Sequence, residues 1–119
     1  MVKVNELRMG NLVNWQVASS IYQGEITSIS TNVVVVDHKS SFKVNSEDEY
    51  YHINPIPLTE DWLLKFGFKT FKKDWSKKSF IVHSRKRGFI IRKSIPQIEY
   101  VHQLQNIYFA LTGEELIIK

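Results

Sequence analysis

Four histidines, His38, His52, His83 and His102, are the first residues to weigh for chemistry, because imidazole titrates near neutrality and ligates metals. Their spacing supports neither role. No two of them form an HExxH, HxH or His-x-x-x-His arrangement. The chain has no Gly-rich phosphate loop, no GxSxG elbow and no serine with a plausible His/Asp set. Apart from Glu60-Asp61 at an expected helix start, adjacent carboxylates occur only as Glu47-Asp48-Glu49 and Glu114-Glu115, in segments that read as loops or termini. General acid–base work needs a carboxylate lodged in a cleft with a shifted pKa, and loop acids are more often solvated. There is no cysteine, which removes disulfides, thiol chemistry and cysteine-ligated metal sites together. The expectation is a binding protein rather than an enzyme, with no catalytic residue, metal or cofactor assigned. His102 stands out, on the polar side of the best helical pattern beside Gln103, Gln105 and Asn106. These polar residues are expected to face solvent or to hydrogen-bond to a sheet.

The basic residues are more informative. The net charge is +4, but its distribution is uneven. Residues 1–60 hold four Lys/Arg against seven Asp/Glu, or −3, and residues 61–119 hold twelve against five, or +7. From Lys69 to Lys93 there are ten basic residues and one acid, Asp74. This run is interleaved with Phe71, Trp75, Phe80 and Phe89. Cations track phosphates and aromatics stack on unpaired bases, so the pattern suits nucleic acid. The candidate contacts are Lys72, Lys73, Lys77, Lys78, Arg85, Lys86 and Arg87, with Trp75 for stacking. Trp75 falls in an expected turn, 74–77, and is expected to be exposed. The competing reading is that lysine-rich turns blunt sheet edges and that the aromatics are core. Alternation already assigns Phe80, which shares a face with Val82, to the core.

A second reading is a protein-interaction module. Trp15, Tyr22, Tyr50 and Tyr51, beside the acidic run 47–49, could form an aromatic contact patch, since Tyr and Trp bury area at low entropic cost. In the alternative they line the interior. Opposite charge on the two halves also permits head-to-tail self-association. A third reading, a small-molecule or nucleotide binder with a pocket between the two halves, rests on basic charge alone.

The elements that must position these residues follow from pattern and punctuation. With 119 residues, 43% hydrophobic and 24% charged, the chain is an ordinary globular length that folds without staples. The opening, Met1-Val2-Lys3-Val4-Asn5-Glu6, lacks the apolar core of a signal peptide. The longest apolar run, Val33 to Val36, is far too short to span a bilayer. A cytoplasmic location is expected. Short strands are expected at 12–17, 24–30, 33–36, 41–44 and 50–53, with turns at Gly10-Asn11, Thr31-Asn32 and 37–40. The unbroken valine run suggests a strand buried on both faces. Asn54-Pro55-Ile56-Pro57 ends this set. A short helix is expected over 60–66, capped by Thr59, with Glu60 and Asp61 in its first turn and Gly67 as its stop. Strands at 68–72, 78–84 and 89–93 follow, then a helix over 98–111 with Val101, Leu104, Ile107, Tyr108 and Leu111 as its apolar stripe and Gly113 as its stop. Leu116-Ile117-Ile118 could add an edge strand.

Two resemblances attach to particular residues. Leu7-x-x-Gly10-Asn11-Leu12-Val13, followed by Gly24-Glu25-Ile26 entering the second strand, resembles the SH3-like barrels of Tudor and KOW domains. Three blocks, 5–13, 56–68 and 99–116, resemble a group of short uncharacterised proteins of Bacteroidetes bacteria, their phages and mobile elements. The blocks span about a third of the chain, and the basic run lies outside them. The resemblance implies origin rather than chemistry. By analogy, short phage-borne proteins are often accessory factors or inhibitors of host defence.

The expected fold class is therefore α+β: an N-terminal SH3-like β-barrel over 1–57, then a unit over 58–119 with a short linking helix and a three-stranded antiparallel meander covered by a C-terminal helix. The two halves could also pack as one domain. The expected function is non-enzymatic binding of nucleic acid or a nucleoprotein complex through the basic meander, as in an inhibitor of a nucleic-acid-guided defence enzyme. The expected partners are nucleic acid, a nucleoprotein complex or a host protein, with no membrane.

Overall fold

The computed structural model describes residues 6–30, 33–43, 51–86, 88–92 and 95–118, with backbone only at Lys43, Tyr51 and His52. The chain is mixed α+β, with mostly antiparallel strands in two sheets and two helices. It divides into two compact units, residues 1–56 and 57–119.

The first unit is a five-stranded sheet in the order β4-β3-β2-β1-β5. Its strands are β1 (Leu12–Val17), β2 (Ser20–Ile29), β3 (Val33–Val36), β4 (Ser40–Lys43) and β5 (Tyr51–Asn54). β5 returns to pair antiparallel with β1, and the sheet curls so that its edge strands β4 and β5 approach each other. The inner face is read by period-2 alternation. Val13, Ile26, Val34, Val36, Phe42 and Ile53 close the core with Leu7, and Trp15 and Ile29 pack against it. The valine strand is not buried on both faces. Val34 and Val36 point inward while Val33 and Val35 are half-buried, because only one face of this curled sheet has a core to meet. Thr27 is an extra residue between Ile26 and Ser28, which pair with the adjacent Val36 and Val35. Such a bulge sharpens twist and helps a sheet curl. Gly24 on β2 packs directly against Val36 and Asp37. A Cβ there would meet Val36 Cγ1 and lie 2.6 Å from Asp37 Oδ2, so no larger residue fits without displacement. The Gly10-Asn11 turn is tied down by Gly10 N–H to Ile26 O (2.8 Å) and Ile26 N–H to Asn11 O (2.9 Å).

The second unit opens with α1 (Glu60–Lys65). Thr59 is its N-cap, but its hydroxyl makes no cap bond. The Thr59 carbonyl instead accepts from Trp62 and Leu63. A four-stranded meander follows in the order β6-β7-β8-β9: β6 (Lys69–Phe71), β7 (Asp74–Lys77), β8 (Phe80–Arg85) and β9 (Gly88–Ile90). The expected count of three strands is corrected to four. Residues 74–77, expected as a turn, form β7, because the reversals at 72–73 and 78–79 need only two residues each. Its core face carries Trp75, Phe80 and Val82, all buried. The last helix, α2 (Val101–Thr112), packs on that face, with Tyr108 edge-on to Phe68 and Phe80.

α2 starts at Val101 rather than Ile98. Ile98 makes an isolated bridge to Phe89, and Gln103 Oε1 accepts the Glu99 and Tyr100 amides (2.8 and 3.1 Å), closing the N-terminus. Gly113, at φ 75°, ends the helix in the left-handed conformation, its amide bonding to Phe109 O. The buried face of α2 is rotated from the apolar stripe toward His102 and Gln105, which are 0% and 1% exposed, while Leu111 is 45% exposed. Of the two expected placements, facing solvent or bonding within the fold, burial excludes the first for these two residues. Residues 114–118 form no strand, and of Leu116, Ile117 and Ile118 only Leu116 is buried.

Candidate nucleic-acid interface

An antiparallel meander alternates its turns between two ends of the sheet. The register places the 72–73 turn, after the Phe71–Asp74 pair, at the same end as the turn after the Arg85–Gly88 pair. Asp74 opposite His83 fixes that end across β7 and β8, and the Ser84 amide donates to Lys73 O at 2.9 Å, joining the two turns directly. Lys72, Lys73, Arg85 and Lys86 are therefore brought together, and all four are exposed. Arg87 lies outside the described residues. Lys77 and Lys78 stand at the opposite end.

The charge at the shared end is organised by Asp74. Its carboxylate lies 2.9 Å from His83 Nδ1 and 3.3 Å from Arg85 Nη1. Arg85 Nη1 also donates to Ser84 O at 2.9 Å. The hydrogen bond from His83, and then the Arg85 guanidinium, hold the Asp74 carboxyl below its ordinary value. One ionised carboxylate thus orients Arg85 and leaves the end net positive. Lys72 has φ 57°, a left-handed backbone that favours glycine or asparagine over lysine. Its Nζ lies 5.6 Å from the Phe71 ring centroid.

At the opposite end the lysines are engaged within the fold. Lys77 Nζ donates to Phe66 O at 2.6 Å, which satisfies a carbonyl at the C-terminus of α1. Lys78 pairs with Glu114 at 2.6 Å. That pair raises the Lys78 pKa and lowers that of Glu114.

Trp75 is 5% exposed in the core, so the expectation of an exposed turn tryptophan that stacks on a base is corrected. Its neighbours Asp74 and Ser76 take the outer face by alternation, and the one apolar residue of β7 turns inward. The aromatic at this end is Phe71, 74% exposed, which the basic–aromatic pattern by itself does not single out. The available signal was period 2 across the hairpin: Phe71 opposes Asp74, and opposed residues share a face.

In the first unit, Trp15 and Tyr22 oppose each other and stack at 4.4 Å. Trp15 also packs on Phe42 at 5.7 Å. Tyr22 and its neighbours Ile21 and Val17 are exposed. Tyr50 and the side chain of Tyr51 lie outside the described residues, as do the acidic run 47–49 and the side chain of His52. His102 is a core histidine whose ring stacks on Tyr100. Among the described residues, no group of three or more His, Asp or Glu side chains is placed to hold a metal ion, and no helix is long and apolar enough to cross a membrane. No family model, curated protein or solved structure matches the chain.

Proposed function

We propose that the protein is a non-enzymatic binder of nucleic acid, free or within a nucleoprotein complex, and that the shared end of the meander is its contact surface. The convergence of two turns that place Lys72, Lys73, Arg85 and Lys86 beside a single carboxylate carries this reading. Clustered, solvent-facing cations supply the counterion-release term that dominates nucleic-acid affinity. The first unit is read as an SH3-like barrel, a fold that presents rather than transforms ligands, on the ground that its fifth strand returns to the first. The resemblance to phage and mobile-element proteins makes inhibition of a host nucleic-acid-guided defence enzyme the cellular role we assign. The test is a salt titration of binding to a mixed-sequence oligonucleotide. Four phosphate contacts give a log–log slope of about −3, and an affinity indifferent to salt would remove the assignment.

A second reading has its own observation. The stacked Trp15–Tyr22 pair shares its face with exposed Val17, which suits a protein-docking patch on the first unit. Partner capture that survives nuclease treatment and is lost on Tyr22→Ala would favour it.

A further inference from the structure

The outer face of the meander, opposite the one covered by α2, has properties that the turn cations alone do not explain. Register and alternation place Lys69, Phe71, Asp74, Ser76, Ile81 and His83 on it. Phe71 is 74% and Ile81 45% exposed. Neither helps to build the core beneath, which Trp75, Phe80 and Val82 fill from the other side. Phe71 lies on β6, the edge strand that leads into Lys72-Lys73. Its ring is flanked in sequence by Lys69 and Lys72, and the Lys72 ammonium stays close to it.

At the other side of the same face, β9 pairs with β8 only from His83 to Arg85. Beyond that pairing a cleft of about 300 Å³ opens at the edge of the sheet, where Ile81, His83, Ile91 and Arg92 meet Leu111 and Thr112 of α2. Arg92 is exposed and adds a cation at this rim. The face therefore runs from an aromatic platform with adjacent lysines to His83, which borders the edge cleft together with Arg92. β6 and β8 are two strands apart, about 10 Å, so the path is wide enough for more than one nucleotide.

We infer that the ligand is a single-stranded nucleic acid lying across this outer face, with one base stacked on Phe71 and its phosphates held by the neighbouring cations. The inference rests on the nucleic-acid reading above and narrows it. Paired bases keep their π-faces inside the duplex, so an exposed ring on an open sheet can stack only on an unpaired base. A duplex could be held by the cations but would gain nothing from Phe71. Charge complementarity between Lys69, Lys72, Lys73, Arg85, Lys86 and a phosphate chain identifies the occupant.

The experiment measures fluorescence anisotropy of labelled mixed-sequence oligonucleotides, as single-stranded RNA, single-stranded DNA and the matching duplexes, across one common series of salt concentrations. Single strands are expected to bind more tightly than duplexes. Phe71→Ala is expected to weaken single-strand binding roughly 5- to 100-fold, the range for losing one stacked base. It should leave the salt slope and the duplex affinity unchanged, and Phe71→Tyr should restore binding. Phe71 is largely exposed, so its substitution does not disturb the core, and an unchanged melting temperature checks this. Equal affinity for single strand and duplex, with no effect of Phe71→Ala but a persistent salt slope, would overturn the single-strand inference and leave the phosphate reading standing. Absence of any nucleic-acid binding would overturn both.

Discussion

At one end of the meander Lys77 and Lys78 are engaged within the fold, whereas at the other Lys72, Lys73 and Lys86 stand in solvent around Asp74 and Arg85. Lys77 satisfies the Phe66 carbonyl behind α1, and Lys78 meets Glu114 beyond α2. The side chains of Lys73 and Lys86 have no ion pair or hydrogen bond among the described residues, and Lys72 has only the Phe71 ring nearby. The same residue type thus serves two purposes within one sheet. A cation already paired must lose its partner before it meets a phosphate, and that loss offsets the gain. A cation in water gives up only mobile counterions. Counting lysines therefore overstates a binding surface, and pairing decides which of them contribute.

The largest expected effect breaks the contrast directly. Lys72→Ala, Lys73→Ala and Lys86→Ala together should reduce oligonucleotide affinity and flatten the log–log salt slope by about two to three. Lys78→Ala at the opposite end should leave the slope unchanged. If both sets flatten it equally, the ends are not distinct and the surface extends around the sheet.

A smaller effect reverses the contrast. Lys77→Ala leaves the Phe66 carbonyl without its donor and should destabilise the second unit by about 1 kcal/mol, read as a lower urea midpoint, with little change in the salt slope. The triple lysine variant should show the opposite pattern, with binding lost and the urea midpoint near that of the parent. Loss of binding in Lys77→Ala without loss of stability would move Lys77 to the interface.

The smallest effect sharpens the contrast through pH. The Asp74 carboxyl is held below its ordinary value of 3.8, chiefly by the His83 hydrogen bond. An acid with a depressed folded pKa contributes stability fully above its unfolded value and loses it as pH falls through the folded one. Asp74 therefore stabilises its end above about 3.8 and stops doing so in stronger acid. Glu114, held below 4.5 by Lys78, behaves likewise at the other end. Lys78 is raised above 10.5 by Glu114, so its contribution holds below that pH and is lost as pH rises through the folded value. Carboxyl NMR titration should show Glu114 returning to its ordinary value in Lys78→Ala while Asp74 stays depressed. An unmoved Glu114 would mean that the pair does not persist in solution.

Much of the local structure was legible because it depends on neighbours in the chain. Leu12–Val17 and Val33–Val36 have the expected bounds, since β-branched runs between turn residues carry their own signal. Gly113 ends α2 as expected, because glycine takes the left-handed position without strain. Residues 74–77 have the composition of a turn because Asp, Ser and Lys dominate them. One tryptophan among four residues is too short a pattern to show alternation, and only pairing with β6 and β8 makes it a strand. The face of α2 was misplaced for a related reason. Apolar spacing marks Val101, Leu104 and Tyr108, which are buried, and also Leu111, which is exposed, but it gives no sign that His102 and Gln105 are buried beside them.

By itself, the sequence determined the α+β class, most strand and helix positions, and the concentration of lysine and arginine between Lys69 and Lys93. These follow from propensity, alternation and punctuation, which act over a few residues. Only the tertiary structure decided which lysines share an end, which are consumed by Phe66 and Glu114, and that Phe71 rather than Trp75 is the exposed ring. Those outcomes depend on strand register and on which sheet face the helix covers. Both are set by contacts between residues far apart in the chain, and a shift of one residue in register would exchange the two faces.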